Sequence, residues 1–198
     1  MLDWIKIANK NYPDFWKVYL SRIEQKPERA VALRLQTTGN DPHKDVILAI
    51  SAVGMQQNHI NAGDVFEVVL LQYVFNHDNG LSNEFIIESK VEKMLEPQAI
   101  EQFINYLGNA VIVGHQVNFD IEIINTVLEK LNCGRLRNEA LDVDIMYKKY
   151  KDISSDKTFA IEEIEKQLKL PESDKESTTD KAFALALIYQ KLKHKLKL

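Results

Sequence analysis

The chain has 198 residues, a mass of 22.8 kDa and a formal net charge of −4, with 45% hydrophobic and 27% charged residues. This length suits one core of generous size, and this balance excludes a disordered or low-complexity chain. The negative total also excludes recruitment to a phosphate backbone by overall charge, so any nucleic-acid contact has to come from a local patch.

The chain opens Met1-Leu2-Asp3-Trp4-Ile5-Lys6, without the basic and apolar regions of a signal peptide. No apolar run approaches membrane-spanning length, so a cytoplasmic location without a membrane partner is expected. Residues 1–29 carry Trp4, Tyr12, Phe15, Trp16 and Tyr19 among charges, spaced for one or two short helices broken near Pro13. This segment reads as an N-terminal helical extension to a domain covering 30–198.

Three β-type runs follow, at 30–36, 46–53 and 65–71, rich in Val, Ile and Leu. The breaks between them, Thr37-Thr38-Gly39-Asn40-Asp41-Pro42 and Asn61-Ala62-Gly63-Asp64, are turn chemistry, so a three-stranded meander is expected. A polar stretch at 76–83 leads to a helical pattern over 97–107, in which Ala99, Ile100, Phe103, Ile104 and Leu107 mark one buried face.

Ala110-Val111-Ile112-Val113 has the continuous apolar character of a buried central strand, and a helix over 119–131 follows it. Cys133, the single cysteine, excludes an intramolecular disulfide and reads as a core thiol in a reducing compartment. Leu141-Asp142-Val143-Asp144-Ile145 fits either an edge strand or the entry to a helix at 146–150. Two further helices are expected, at 159–168 and from Asp180 into a basic run at 191–197. That run, with Lys193, His194 and Lys195, suits a helix end facing solvent, with a weak phosphate contact as the alternative. The sum is an α/β fold, a mixed sheet flanked by helices.

Three stretches in this order carry a resemblance. Arg34-Leu35-Gln36-Thr37-Thr38-Gly39 closes the first strand, Val113-Gly114-His115-Gln116-Val117-Asn118-Phe119-Asp120 leads from strand into helix, and Asp180-Lys181-Ala182 opens the last helix. Together they resemble the motifs of the DnaQ-like DEDDh 3′–5′ exonucleases, a DNA polymerase III epsilon-like family of the ribonuclease H-like superfamily. The match spans roughly residues 28–195. The family's first motif reads Asp-x-Glu-Thr-Thr-Gly, so Arg34 and Gln36 stand where it has its two carboxylates. Asp120 and Asp180 match in type. Lys175, five residues before Asp180, stands where the family has histidine, and Gln116 stands where asparagine is usual.

The resemblance implies a ribonuclease H-like fold and, in active relatives, phosphodiester hydrolysis by a pair of Mg²⁺ or Mn²⁺ ions held by carboxylates, with histidine as general base. It implies nucleic-acid contacts at Thr37, Thr38, Gly39, His115, Asn118 and Phe119. Residues two apart in a strand share a face, so positions 34 and 36 look onto the same site. Arg34 has no acceptor and stays charged, Gln36 offers one weak carbonyl, and Lys175 is a poor base unless its pKa falls by several units.

A catalytically inactive domain without a cofactor is therefore expected, with Asp120 and Asp180 the only ligands left to a metal. Arg34, Lys175, Asp120 and Asp180 sum to zero formal charge (+2 − 2), and Arg34 is expected to pair with Asp120 or Asp180. Such a domain would bind single-stranded DNA or RNA 3′ ends or a protein partner. The alternatives are an active exonuclease with a rearranged site, drawing on Asp142 or Asp144, and a structural adaptor. His115 reads as a loop hydrogen-bonder rather than a base.

Overall fold

The computed structural model of the protein describes residues 11–57, 59–71, 86–174 and 177–198. The polar stretch 76–83 and Lys175 lie outside these described residues. Helix α1, Asp14–Arg22, starts directly after Pro13, whose fixed φ suits a helix entry. Strands β1 Arg29–Thr37, β2 Ile47–Gln56 and β3 His59–Leu71 form the expected antiparallel meander, but its second corner lies at Gln57, φ +56°, and the expected turn at 61–64 falls inside β3, where a register shift against β2 absorbs it.

Strand β4, Lys93–Leu95, and helix α2, Glu96–Leu107, come next, followed by β5, Val111–Gly114, and α3, Val117–Lys130. The chain ends with β6 Ala140–Asp142, α4 Val143–Lys151, α5 Ile161–Leu168 and α6 Thr178–Leu196. Sheet order is β4-β3-β2-β1-β5-β6, with β5 parallel to both β1 and β6, and β4 parallel to β3. Among the described residues no helix is long and apolar enough to cross a membrane.

Several boundaries differ from the pattern-based expectation, each for a local reason. The ambiguous 141–145 segment is both things in succession: β6 ends at Asp142, whose side chain accepts from Asp144 N and caps α4. Helix α3 begins at Val117, because Asp142 Oδ2 also accepts from Val117 N at 3.0 Å. Helix α6 begins at Thr178, because Ser177 Oγ accepts from Asp180 N at 3.0 Å. Phe159 precedes α5, with its amide held by Asp144 Oδ1. Helix α2 stops at Gly108, which takes φ +54°, a conformation that costs glycine nothing.

The sheet carries a core on each side. On the first, Val31, Leu33 and Leu35 of β1 meet α1, α2 and α3 through Trp16, Phe103, Ile124 and Leu128. Trp16 and Tyr19 of α1 stack at 4.5 Å, and the Tyr19 hydroxyl bridges Asn138 and the Arg137 amide, so α1 is keyed into this core. On the second side, Ala32, Val53 and Val113 pack under Ala182, Ala186 and Ile188 of α6 and under α4 and α5.

Candidate functional site

Alternation along β1 places Arg34 and Gln36 on the second side, in the same row of side chains as Ala32. Register carries the row across the sheet: Arg34 lies opposite Ser51, which lies opposite Glu67, and Gln36 lies opposite Ala49 and then Val69. The first turn of α6 sits over this row, with Thr179 Oγ1 hydrogen-bonded to Ser51 Oγ at 3.1 Å and to the Glu67 carboxylate. A cavity of about 210 Å³ opens there, lined by Ala49, Ser51, Glu67, Ser177 and Thr178 among others.

The Thr37-Thr38-Gly39 turn borders the row and is closed by its own bonds. Thr37 Oγ1 donates to Gly39 O at 2.8 Å, and Thr38 Oγ1 donates to Asp45 Oδ1 at 2.8 Å. Asp45 Oδ2 accepts from Asp41 N at 2.7 Å, so one carboxylate ties both ends of the loop. A Cβ on residue 39 would lie 2.6 Å from Asp45 Oδ2, which explains the glycine by close approach.

Asp120 stands in the first turn of α3, only 2% exposed, and its Oδ2 has no hydrogen-bond partner among the described residues. Burial pushes its carboxyl up to about 8; the Arg34 guanidinium opposes that rise and Asp142 adds to it. The acid is therefore mainly protonated at neutral pH. Arg34, Asp120 and Asp142 thus share one electrostatic neighbourhood. The expected contact pair is not formed, however: among the described residues no ion pair within 4 Å joins Arg34 to Asp120 or Asp180. Asp120 is sunk in α3 while Arg34 is only partly buried, so the guanidinium keeps its hydration and acts through space.

The other sequence-chosen residues separate by role. Asp180 is exposed at the third position of α6. His115 Nε2 lies 2.7 Å from Phe159 O, a loop contact. Asn118 is exposed, whereas Phe119 packs against the first core. Gln116 takes φ +55° at the entry to α3, a left-handed conformation that asparagine tolerates better. Glu67, Ser51, Thr179 and Asp45 were not singled out from sequence; Glu67 alone left a signal, a charge amid the apolar run of β3.

Divalent ions need several oxygen donors free to point inward. Asp142 spends both oxygens on the amides of Val117 and Asp144, and Asp144 spends both on Phe159 N and Lys148 Nζ. With Arg34 beside the buried Asp120 and Asp180 exposed on α6, the donors do not fit a metal pair. Among the described residues no group of three or more His, Cys, Asp or Glu is assembled for one.

The meander, the parallel β5 and β6, and a last helix laid over β1 define the ribonuclease H-like fold as exonucleases build it. The zinc-bound complex of E. coli exonuclease I with single-stranded DNA superposes with TM-score 0.69 at 13% identity, over 87% of this chain and 42% of that one. Cell-death related nuclease 4 superposes with TM-score 0.68 at 13% identity, over 85% of this chain and 64% of that one. The PolC-type DNA polymerase III of Thermotoga petrophila is 31% identical over 106 residues, which is 51% of this chain and 7% of the polymerase. The chain thus spans less than two thirds of each of these relatives, from 7% of the polymerase to 64% of nuclease 4. No family model matches it.

Proposed function

We propose that the chain is a DnaQ-type exonuclease domain that has given up hydrolysis and holds single-stranded DNA or RNA 3′ ends in the cleft between β1, the 37–39 turn and the first turn of α6. The observation that carries this reading is Arg34. It stands where the resembled family has a metal-binding carboxylate, on the sheet face that α6 crosses, and its positive charge reaches Asp120. A fixed cation there takes over part of the work that mobile dications do in a metal-dependent site: it offsets phosphate charge without activating water.

The intact Thr37-Thr38-Gly39 turn and the exposed Gln36 keep the walls of the cleft. Because the whole chain is acidic, binding through such a patch is weak at physiological salt and falls as salt rises. Fluorescence anisotropy with a labelled single-stranded oligonucleotide in EDTA tests the binding, and a sizing gel after incubation with Mn²⁺ tests the chemistry. Binding in EDTA, weakened by Arg34→Glu, with full-length oligonucleotide after Mn²⁺, is expected. The unpartnered Oδ2 of Asp120 favours the rival reading, an active enzyme with a rearranged site. Mn²⁺-dependent shortening lost in Asp180→Ala would establish that rival, and absence of binding would favour an adaptor role.

A further inference from the structure

Strand β1 offers the cleft two side chains of one chemical kind. Arg34 and Gln36 emerge on the face that α6 crosses, and both end in N–H donors. Gln36 is exposed and Arg34 partly so. Opposite Arg34, Ser51 adds a hydroxyl already bonded to Thr179, and opposite Gln36 stands the small Ala49. Among the described residues Arg34 has no carboxylate within 4 Å. Its fork therefore keeps hydrogen-bonding capacity for a planar or tetrahedral anion.

Besides Asp120 and Asp142, two acids border the row. Glu67 is held by Thr179 on the β3 side, and Asp180 is exposed in the first turn of α6, where the aligned amides of the helix offset its charge.

We infer that the cleft selects 3′-phosphorylated single-stranded ends over 3′-hydroxyl ends, with the terminal phosphomonoester seated on Arg34 and Gln36. The inference rests on the end-binding reading above. An internal phosphodiester carries one negative charge and two non-bridging oxygens. A terminal phosphomonoester carries about −1.5 to −2 near neutral pH and three free oxygens, enough to meet a bidentate guanidinium and an amide together.

Anisotropy in EDTA with three internally labelled oligothymidylates tests the assignment: one with a 3′-hydroxyl, one with a 3′-phosphate, and one with a 5′-phosphate and 3′-hydroxyl. The 3′-phosphate strand is expected to bind about tenfold tighter than the other two, the gain of one charge-assisted contact. Arg34→Gln should weaken both strands but cost the 3′-phosphate strand about tenfold more than the 3′-hydroxyl strand, so that the two then bind alike, and Arg34→Lys should keep part of the difference as a point charge. Thermal melts of both variants check folding.

Equal affinity for all three strands, an equal gain from the 5′-phosphate, or a preference that survives Arg34→Gln would overturn the selection. Equal binding would leave the end-binding reading standing. Binding to none of the strands would remove that reading as well.

Discussion

The two sides of the sheet are built to different specifications. On the first, Val31, Leu33 and Leu35 continue an apolar surface along β1, covered by Trp16, Phe103 and Ile124. On the second, the same strand is apolar at Ala32 and turns polar at Arg34 and Gln36, and the buried polar residues Ser51, Asp144, Glu165 and Thr178 belong to that side. A surface that only holds the fold can be apolar throughout. A surface that opens into a cleft exchanges packing for charge at the strand ends, and β1 makes that exchange within three residues.

Mutations on the two sides should therefore differ in kind. The largest loss is expected on the first, where Phe103 is wholly buried: Phe103→Ala should cost roughly 3–5 kcal/mol in a denaturant melt, through lost transfer energy and the cavity left behind. A cost below about 1 kcal/mol would mean that the first core is not the main support of the sheet.

Asp120, buried in the first turn of α3, should make stability depend on pH. Its folded carboxyl titrates near 8, whereas an unfolded aspartate titrates near about 3.9. Between these values the folded state holds the extra proton, so the stability from this group is present below about pH 4 and is lost as pH rises through 8. Asp120→Asn should flatten that loss, gaining roughly 2–5 kcal/mol relative to the natural chain at pH 9. Parallel pH profiles for the two proteins would contradict the burial assigned to this acid.

Smaller effects come from the loops that frame the cleft. Asp142 caps α4 and holds the first amide of α3, so Asp142→Ala should cost about 1–3 kcal/mol by melting. Thr38→Val removes two bonds, one donated to Asp45 and one accepted from the Val46 amide, and should cost about 1–2 kcal/mol. If Thr38→Val cost more than Asp142→Ala, the turn rather than the shared cap would be the stronger brace of the cleft.

Much of this was legible in the sequence. Three β-type runs gave the meander, although the turn chemistry of 61–64 misplaced its second corner, and the three- and four-residue spacing of Ala99, Ile100, Phe103, Ile104 and Leu107 gave α2, because both patterns are local. Strand β4 was not legible: three residues show no period, and Lys93–Leu95 forms a strand only because Val69–Leu71 lies beside it. The row Arg34, Ser51 and Glu67 was half legible. Alternation predicts which face of β1 Arg34 takes, but only cross-strand register tells which residues of β2 and β3 lie opposite. The distance between Arg34 and Asp120 was likewise out of reach, since it follows from how deeply α3 seats Asp120.

The central claim is that the second side has exchanged metal-binding carboxylates for a fixed cation. Calorimetric titration of Mn²⁺ into the natural chain, alongside the triple variant Arg34→Asp, Gln36→Glu and Lys175→His, tests it most directly. The account predicts no uptake by the natural chain. It predicts uptake by the folded variant, whose melting temperature should then rise with Mn²⁺ because the ion binds only the native state. Mn²⁺ uptake by the natural chain that Asp120→Asn abolishes, or no uptake by a folded triple variant, would contradict it.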